Sequence, residues 1–404
     1  MLAESCGNYD IITTDDSHFR SYMYADIYEQ LGSPEHVLFI VNFERISGVA
    51  DFSFDEFLSN APNQITPNTI IVFDCLAEGI VRYAVKQAIN LMRRYNTQNA
   101  YYVSSSQPCQ ALFDTLRRSR EDMTNLNLIT VNHWENFYQH YISIGGAQGN
   151  DCYWYNWFAP KHKLYHCFNG SNRAQRLFLI GQLHKRNLLN KGYVSYNHHP
   201  ASKVENLSKV VLDYMDRSKN GYYRNKYGKL INDATTAFNE AGYSRSLYDD
   251  NIDNPYTAQS ISDRDTYIYE GSRFAVITET AFVSEYLDSD DIFDTISDPC
   301  VFLTEKTFRP IALRIPFIIY GHPGSLQALR ELGYKTFHPY IDETYDTITD
   351  DVERMYAVAN EVERLSKLSP VKWEHWAQEV FKIVTHNSIV IKSRKNVQFK
   401  IIDL

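Results

Sequence analysis

A hydroxyl, an acid and a base stand side by side at Thr304-Glu305-Lys306, inside the run VFLTEKTFRPIA at 301–312. A short apolar segment ending in glycine, Phe317-Ile318-Ile319-Tyr320-Gly321, follows soon after. A polar triplet ahead of an apolar run reads as a helix start, with Thr304 as its cap. Backbone N–H groups and the helix dipole favour a bound anion at such a place. Lys306 supplies charge to neutralise a diphosphate, and Glu305 supplies acceptors for ribose hydroxyls. Taken alone, the same three residues also describe a capped helix with a solvated ion pair. Pro310 fits the first turn of this helix only if the helix begins late.

Two more clusters carry similar chemistry. Phe274-Ala275-Val276-Ile277-Thr278-Glu279-Thr280 reads as a buried strand ending in Glu279. Ligands of open α/β sheets collect at the carboxyl ends of strands, so Glu279 either points into a crevice or caps a following helix at 281–287. Residues 165–176, YHCFNGSNRAQR, read as strand, turn and helix start. Asn169 lies where the strand gives way to the turn, and Arg173 and Arg176 are placed to fork onto phosphate oxygens. The run is neither a GxGxxG fingerprint nor a P-loop, and an ordinary βα turn explains it equally. In the first half, Phe73-Asp74-Cys75-Leu76-Ala77-Glu78-Gly79 sets two carboxylates just past an apolar strand. Asp74 and Glu78 are therefore the candidate general bases, with Glu44 in reserve and helix capping as the competing reading.

These groups must be held by alternating strands and helices. Apolar runs at 37–43, 69–73, 100–103 and 128–131 predict strands, and apolar spacing over 80–95 predicts a helix between them. Nearly continuous apolar strands alternating with helices indicate a parallel sheet covered on both faces, a Rossmann-like first domain over 1–158. The aromatic run at 153–158 reads as an interdomain crossing. A second α/β domain over 159–385 has predicted strands at 163–168, 192–196, 274–278 and 317–320, and helices at 173–185, 325–332, 350–365 and 371–385. Residues 200–265, polar and rich in Asn, Tyr and Asp, read as a loop-like insertion with a helix only at 204–214. Residues 386–404 read as a tail, and weak alternation over 389–404 leaves a terminal strand open as the alternative.

Composition narrows the function classes. The 404 residues exceed one ordinary core. A net charge of −9 argues against a general grip on nucleic acid, which needs clustered Lys and Arg. Arg82, Lys86, Arg93 and Arg94 are a thin basic stripe. Six cysteines stand without a CxxC pair, so neither a zinc site nor a disulfide framework is written here. The N-terminus lacks the pattern of a signal peptide, and no run approaches the roughly 20 apolar residues of a bilayer span. The expectation is a soluble, cytoplasmic protein with free thiols. His198-His199 lacks a third metal ligand, Asp288-Ser289-Asp290 sits in a solvated acidic run, Ser104-Ser105-Ser106 is a loop, and His133-Trp134-Glu135 is a packed rim.

FAVITET at 274–280 followed by FLTEKTFRPIALRIPFIIYG at 302–321 resembles the donor-binding signature of α1,3-fucosyltransferase-type enzymes. The chain is similar also to glycosyltransferase-like proteins common in phages and large viruses. The shared pieces continue through Gly324-Ser325-Leu326, Leu329, Gly333-Tyr334-Lys335-Thr336-Phe337 and Asp342-Glu343-Thr344-Tyr345-Asp346. The likeness covers about 160–385, with its core at 274–346. It implies a GT-B-like architecture, α/β, with two Rossmann-like domains facing a cleft. It implies a glycosyltransferase whose donor substrate is a nucleotide-diphosphate sugar, with no cofactor and no metal. By this likeness Glu305 contacts the ribose, Lys306 with Arg173 or Arg176 the diphosphate, and Glu279 the sugar or ribose. The acceptor is a carbohydrate or another hydroxyl-bearing molecule, bound by the first domain, and transfer inverts the anomeric centre. The fucosyltransferase signature continues Lys-Leu/Phe-Tyr-Asn-Ala where this chain has Lys306-Thr307-Phe308-Arg309-Pro310, so the likeness does not name the sugar. Two other readings stay open: a viral enzyme glycosylating modified DNA bases, and an inactive nucleotide- or carbohydrate-binding protein.

Overall fold

A computed structural model of the chain describes residues 2–5, 9–13, 21–41, 65–75, 82–97, 99–105, 126–143, 160–169, 173–196, 211–212, 215–216, 221–241, 268–280, 282, 301–393 and 399–402. Chain contacts divide it into two compact units, one of Met1–Asn136 with Glu285–Phe302 and Lys395–Leu404, the other of Phe137–Ser284 with Leu303–Arg394.

In the first unit, strands β1 (Leu2–Ser5), β2 (Tyr9–Thr13), β3 (Val37–Ile40), β4 (Ile70–Asp74), β5 (Ala100–Ser104) and β6 (Leu126–Val131) lie in sequence order. The last strand of the chain, β11 (Phe399–Ile402), adds to β6. Neighbours from β2 to β6 are parallel, while β1 and β11 close the two edges antiparallel. Val37, Leu38, Phe39 and Ile40 have no exposed surface, as expected of a strand covered on both faces. Helix α1 (Ser21–Gln30) buries Tyr24 and Ile27 against one face, beside Phe39, Val72 and Val103. In α2 (Arg82–Tyr95), Ala84, Val85, Ala88, Ile89 and Met92 form the buried stripe. Arg93 and Arg94 stand in its last turn, where cations suit the dipole.

The second unit carries strands β7 (Lys163–Asn169), β8 (Gly192–Tyr196), β9 (Ser272–Thr278) and β10 (Phe317–Tyr320), all parallel, in the order β10-β9-β7-β8. From β7 the chain steps to one side for β8, then to the other for β9 and β10. The strand order therefore reverses between β7 and β9, the place where open α/β sheets bind ligands at their carboxyl edge. The helices are α3 (His133–Ser143), whose first four residues belong to the first unit, α4 (Ala174–Lys185), α5 (Tyr222–Ala241), α6 (Glu305–Leu313), α7 (Ser325–Glu331), α8 (Asp351–Ser366) and α9 (Pro370–Ser393). The protein is thus α/β with two predominantly parallel sheets.

The structure departs from the sequence expectation at α5 and at the end of α9. The segment read as an insertion contains α5, twenty residues long. Tyr223, Tyr227, Leu230, Ile231 and Ala234 recur at helical spacing and are buried, so an amphipathic stripe was present within polar composition. It packs on α4 so closely that a Cβ on Gly181 would lie 2.7 Å from the Ala234 nitrogen. Residues 386–393, expected in a tail, complete α9, while 399–402 form β11, the strand alternative for this stretch.

Arg354 of α8 fastens the carboxyl edge of β10. Fully buried, it donates from Nε to the Gly321 carbonyl at 2.9 Å, from Nη1 to Ile348 at 2.8 Å, and from Nη2 to the Phe282 carbonyl. Its neighbour Asp351 accepts from the Tyr227 hydroxyl at 2.8 Å, which links α8 to α5. Among the described residues, no helix is long and apolar enough to cross a membrane.

Candidate functional site

The site forms where β9 ends and α6 begins. Thr304 has the extended backbone of an N-cap, and its Oγ1 accepts from the Lys306 N–H at 3.2 Å. Behind it lies Glu279, 1% exposed, directly past β9. Its Oε1 accepts from the Thr304 N–H at 3.0 Å and the Thr307 hydroxyl at 2.6 Å, and its Oε2 from the Thr304 hydroxyl at 2.7 Å. Glu279 is thus the clamp on the amino end of α6, a helix other than the one at 281–287 considered for it from sequence. Its two oxygens are committed to Thr304 and Thr307 of α6 and its cap.

Lys306 Nζ reaches Glu305 Oε1 at 2.7 Å and Thr304 Oγ1 at 3.1 Å, with both charged side chains mostly buried. Burial pushes the Glu305 carboxyl up, but the Lys306 charge and hydrogen bond, with backbone N–H and the Thr304 hydroxyl, hold it below its ordinary value. Glu305 is therefore a carboxylate at neutral pH. One turn further on, Arg309 donates from Nε to the Tyr138 hydroxyl at 3.0 Å and from Nη1 to the Tyr269 hydroxyl at 3.4 Å. Burial opposes its charge, and the two phenol oxygens more than offset that, so it stays a cation. Burial in turn raises the Tyr138 phenol to about 12, against the lowering effect of Arg309.

Pro310 lies inside α6 rather than in its first turn, because the helix begins at Glu305. Having no N–H, it leaves the Lys306 carbonyl without its usual i+4 donor. Glu305, Lys306, Arg309 and Pro310 line a small pocket of about 40 Å³ that opens to solvent. Its opposite wall is the sheet face with His166, Phe168, Ala275 and Ile277, closed by Tyr269. His166 pairs with Ala275 in the parallel register, so period-two alternation brings these residues to one face. His166 and Phe168 stack at 5.0 Å, and Tyr269 stands edge-on to His166 at 5.1 Å. Burial drives His166 down to about 3, leaving a neutral imidazole.

The other sequence candidates gather at the same sheet edge but serve to hold it together. Asn169, 1% exposed, donates from Nδ2 to the Ser195 carbonyl at 2.9 Å and accepts from the Thr278 hydroxyl at 2.9 Å, clipping β7 to β8 and β9. Arg176, also buried, donates to the Thr278 carbonyl at 3.3 Å, and Gln175 donates to the Thr280 carbonyl at 3.3 Å. Arg173 is the half-buried residue at the N-cap of α4, with no side-chain cap bond. Further along, Asp346 accepts from the Leu326 and Gln327 N–H groups at the start of α7 at 2.9 and 3.1 Å. Glu343 accepts from the Thr336 hydroxyl at 2.7 Å and from the Phe337 N–H. The pieces at 324–346 therefore build the frame behind the site.

In the first unit Asp74 has no exposed surface, and its Oδ2 accepts from the Tyr24 hydroxyl at 2.5 Å. His133 and Glu135 open α3 as buried residues, in line with a packed rim. Glu78, Glu44, Ser106, the aromatic run at 153–158, His198-His199 and Asp288-Ser289-Asp290 lie outside the described residues. So do the helix considered at 281–287, apart from Phe282, and the side chains of Arg82 and Lys86. Among the described residues, no group of three or more His, Cys, Asp or Glu could hold a metal ion.

Sequence reasoning missed His166, Phe168, Tyr138, Tyr269 and Arg309. The i, i+3 spacing of Lys306 and Arg309 was available once the helix was started at Glu305. The i, i+2 spacing of His166 and Phe168 was available once β7 was placed. No family model matches the chain, and neither a curated protein nor a solved structure matches it.

Proposed function

We propose that the second unit binds a nucleotide-diphosphate sugar at the amino end of α6, and that the protein is a glycosyltransferase. The observation that carries this reading is the Glu279 clamp, which holds Glu305 and Lys306 at a pocket that also contains Arg309 and three aromatic rings. Diphosphate oxygens meet Lys306, where the helix dipole adds to the side-chain charge. Glu305, kept ionised, accepts from sugar or ribose hydroxyls. The resemblance to fucosyltransferase-type enzymes supports the same assignment of Glu305 and Lys306.

In the proposed transfer, the bond from the anomeric carbon to the phosphate oxygen breaks, and its electron pair leaves with the nucleoside diphosphate. Lys306 stabilises that developing charge. The acceptor oxygen bonds to the anomeric carbon from the opposite side, and a carboxylate takes its proton. Glu78 keeps that candidacy. Asp74 is fully buried and engaged by Tyr24, which favours a second reading, a nucleotide-sugar-binding protein without transfer.

Thermal-shift measurements with UDP, GDP, CMP and dTDP test the reading, because a ligand that binds only the folded state raises its melting temperature. A shift with one nucleotide that disappears in Lys306→Ala supports it. Equal shifts in both proteins contradict it. Release of nucleoside diphosphate from a cognate nucleotide sugar, lost in Glu78→Gln, separates transfer from binding alone.

A further inference from the structure

Gln175 stands second in α4, 4% exposed, and holds the sheet edge with one end of its amide only. Its Nε2 donates to the Thr280 carbonyl at 3.3 Å, which fixes the way round the amide lies, since a carbonyl accepts from nitrogen and not from oxygen. Oε1 is buried, and among the described residues nothing donates to it. Buried side-chain acceptors are satisfied in nearly every folded protein, so one left over calls for a partner from outside the chain. Its place in the fold says which kind. Thr280 directly follows Glu279, and Glu279 holds Thr304, whose Oγ1 lies 3.1 Å from Lys306 Nζ. Gln175 and Lys306 are each the second residue of the helix that follows β7 or β9, the two strands between which the strand order reverses. Open α/β sheets take their ligands at that point. An amide oxygen repels phosphate and accepts only from O–H or N–H. On a nucleotide sugar, the donors nearest the diphosphate are hydroxyls of the two sugar rings that it joins.

We propose that Gln175 is a specificity-determining residue of this site, its Oε1 accepting a hydrogen bond from a sugar-ring hydroxyl of a ligand whose diphosphate meets Lys306. The proposal deepens, and rests on, the reading of the site as one for a nucleotide sugar. The hydroxyl belongs to the ribose or to the transferred sugar, and both offer the same chemistry. A ligand that brings it relieves an acceptor the free protein leaves unsatisfied, so the bond formed is not offset by one lost from Oε1. A ligand without it gains nothing there, and the site discriminates against it. Entry of the hydroxyl asks for a change of side-chain rotamer, a common accompaniment of binding.

The test titrates UDP and GDP, their dideoxyribose counterparts, UDP-glucose and GDP-glucose into wild type and Gln175→Met. Methionine has nearly the length of glutamine and no amide, so it fills the space and removes the acceptor. The expected result is a loss of affinity of about tenfold in Gln175→Met for probes that carry the hydroxyl, and none for those that lack it. A loss with UDP or GDP that the dideoxyribose forms do not share assigns the hydroxyl to the ribose. A loss confined to UDP-glucose or GDP-glucose assigns it to the transferred sugar. An equal loss with every probe, dideoxyribose forms included, marks a purely structural residue and overturns the proposal. Unchanged affinity for all probes overturns it as well, and leaves the nucleotide-sugar reading intact. No binding of any probe by wild type overturns both. Wild type alone also gives an answer that does not depend on the variant folding. Equal affinity for the ribose and dideoxyribose forms, with no gain from the attached glucose, overturns the proposal.

Discussion

Replacing Glu279 separates a clamp from a ligand contact. The carboxylate accepts three hydrogen bonds from Thr304 and Thr307 while 1% exposed. Glu279→Gln keeps one acceptor oxygen but sets an amide N–H₂ against a hydroxyl that had been donating to Oε2. One charge-assisted hydrogen bond is lost and the others become neutral, a cost of about 2 kcal/mol. Glu279→Ala strands all three donors and opens a cavity, which raises the cost to about 4 kcal/mol. For a unit of this size each kcal/mol corresponds to about 2–4 °C in melting temperature. Chemical denaturation followed by circular dichroism gives the free energies, and nucleotide titration on the same samples gives the binding consequence. Both variants also weaken nucleotide binding, because Thr304 no longer holds the first turn of α6. A cost below about 0.5 kcal/mol for Glu279→Gln, or an alanine variant no worse than the glutamine one, refutes the clamp.

Further outcomes follow from other parts of the second unit. Gly181→Ala puts a methyl 2.7 Å from the backbone of Ala234 and separates α4 from α5, so denaturation should show a loss of about 1–3 kcal/mol. An unchanged midpoint would contradict the close approach of these helices. His166 has a folded value near 3 against an ordinary 6.5, so below pH 6.5 the unfolded chain takes up a proton that the folded ring refuses. Stability therefore falls as pH drops from about 6.5 toward 3, and His166→Phe should flatten that fall in a pH series of urea melts. Glu305 is held below its ordinary 4.5, so its contribution is present above 4.5 and is lost as pH falls through the lower folded value. Glu305→Gln should remove that part of the acid loss. Burial pushes the Cys167 thiol to about 12, and mapped alkylation at pH 8 should leave it unmodified until the protein unfolds.

How far the sequence could be read depended on whether a feature was local. Strands such as Val37–Ile40 and Phe317–Tyr320 announce themselves as apolar runs, because burial on both faces admits no polar alternation. Helix α5 was hidden because Asn, Lys and Asp dilute its mean hydropathy, while its stripe at Tyr223, Tyr227, Leu230, Ile231 and Ala234 keeps a helical period. Pro310 suggested a late helix start, yet the Glu279–Thr304 clamp fixes the start at Glu305 and the helix absorbs an interior proline. Thr304, Glu305 and Lys306 were legible as a helix start because capping is a short-range matter. The pocket was not, since its contacts join Tyr138 to Arg309 and His166 to Ser272 across more than a hundred residues. Asn169 was legible at a strand end and Arg176 at a helix start, but only their partners Ser195 and Thr278 reveal that they fasten the sheet edge.

The account rests on an anion site at the amino end of α6. Isothermal titration of GDP and UDP into wild type and Lys306→Ala tests it most directly. The account predicts saturable one-site binding of one nucleoside diphosphate, weakened at least tenfold in Lys306→Ala, as expected for a charge-assisted contact of about 1.5–3 kcal/mol. Binding of equal affinity in the two proteins, or none to wild type, would contradict it.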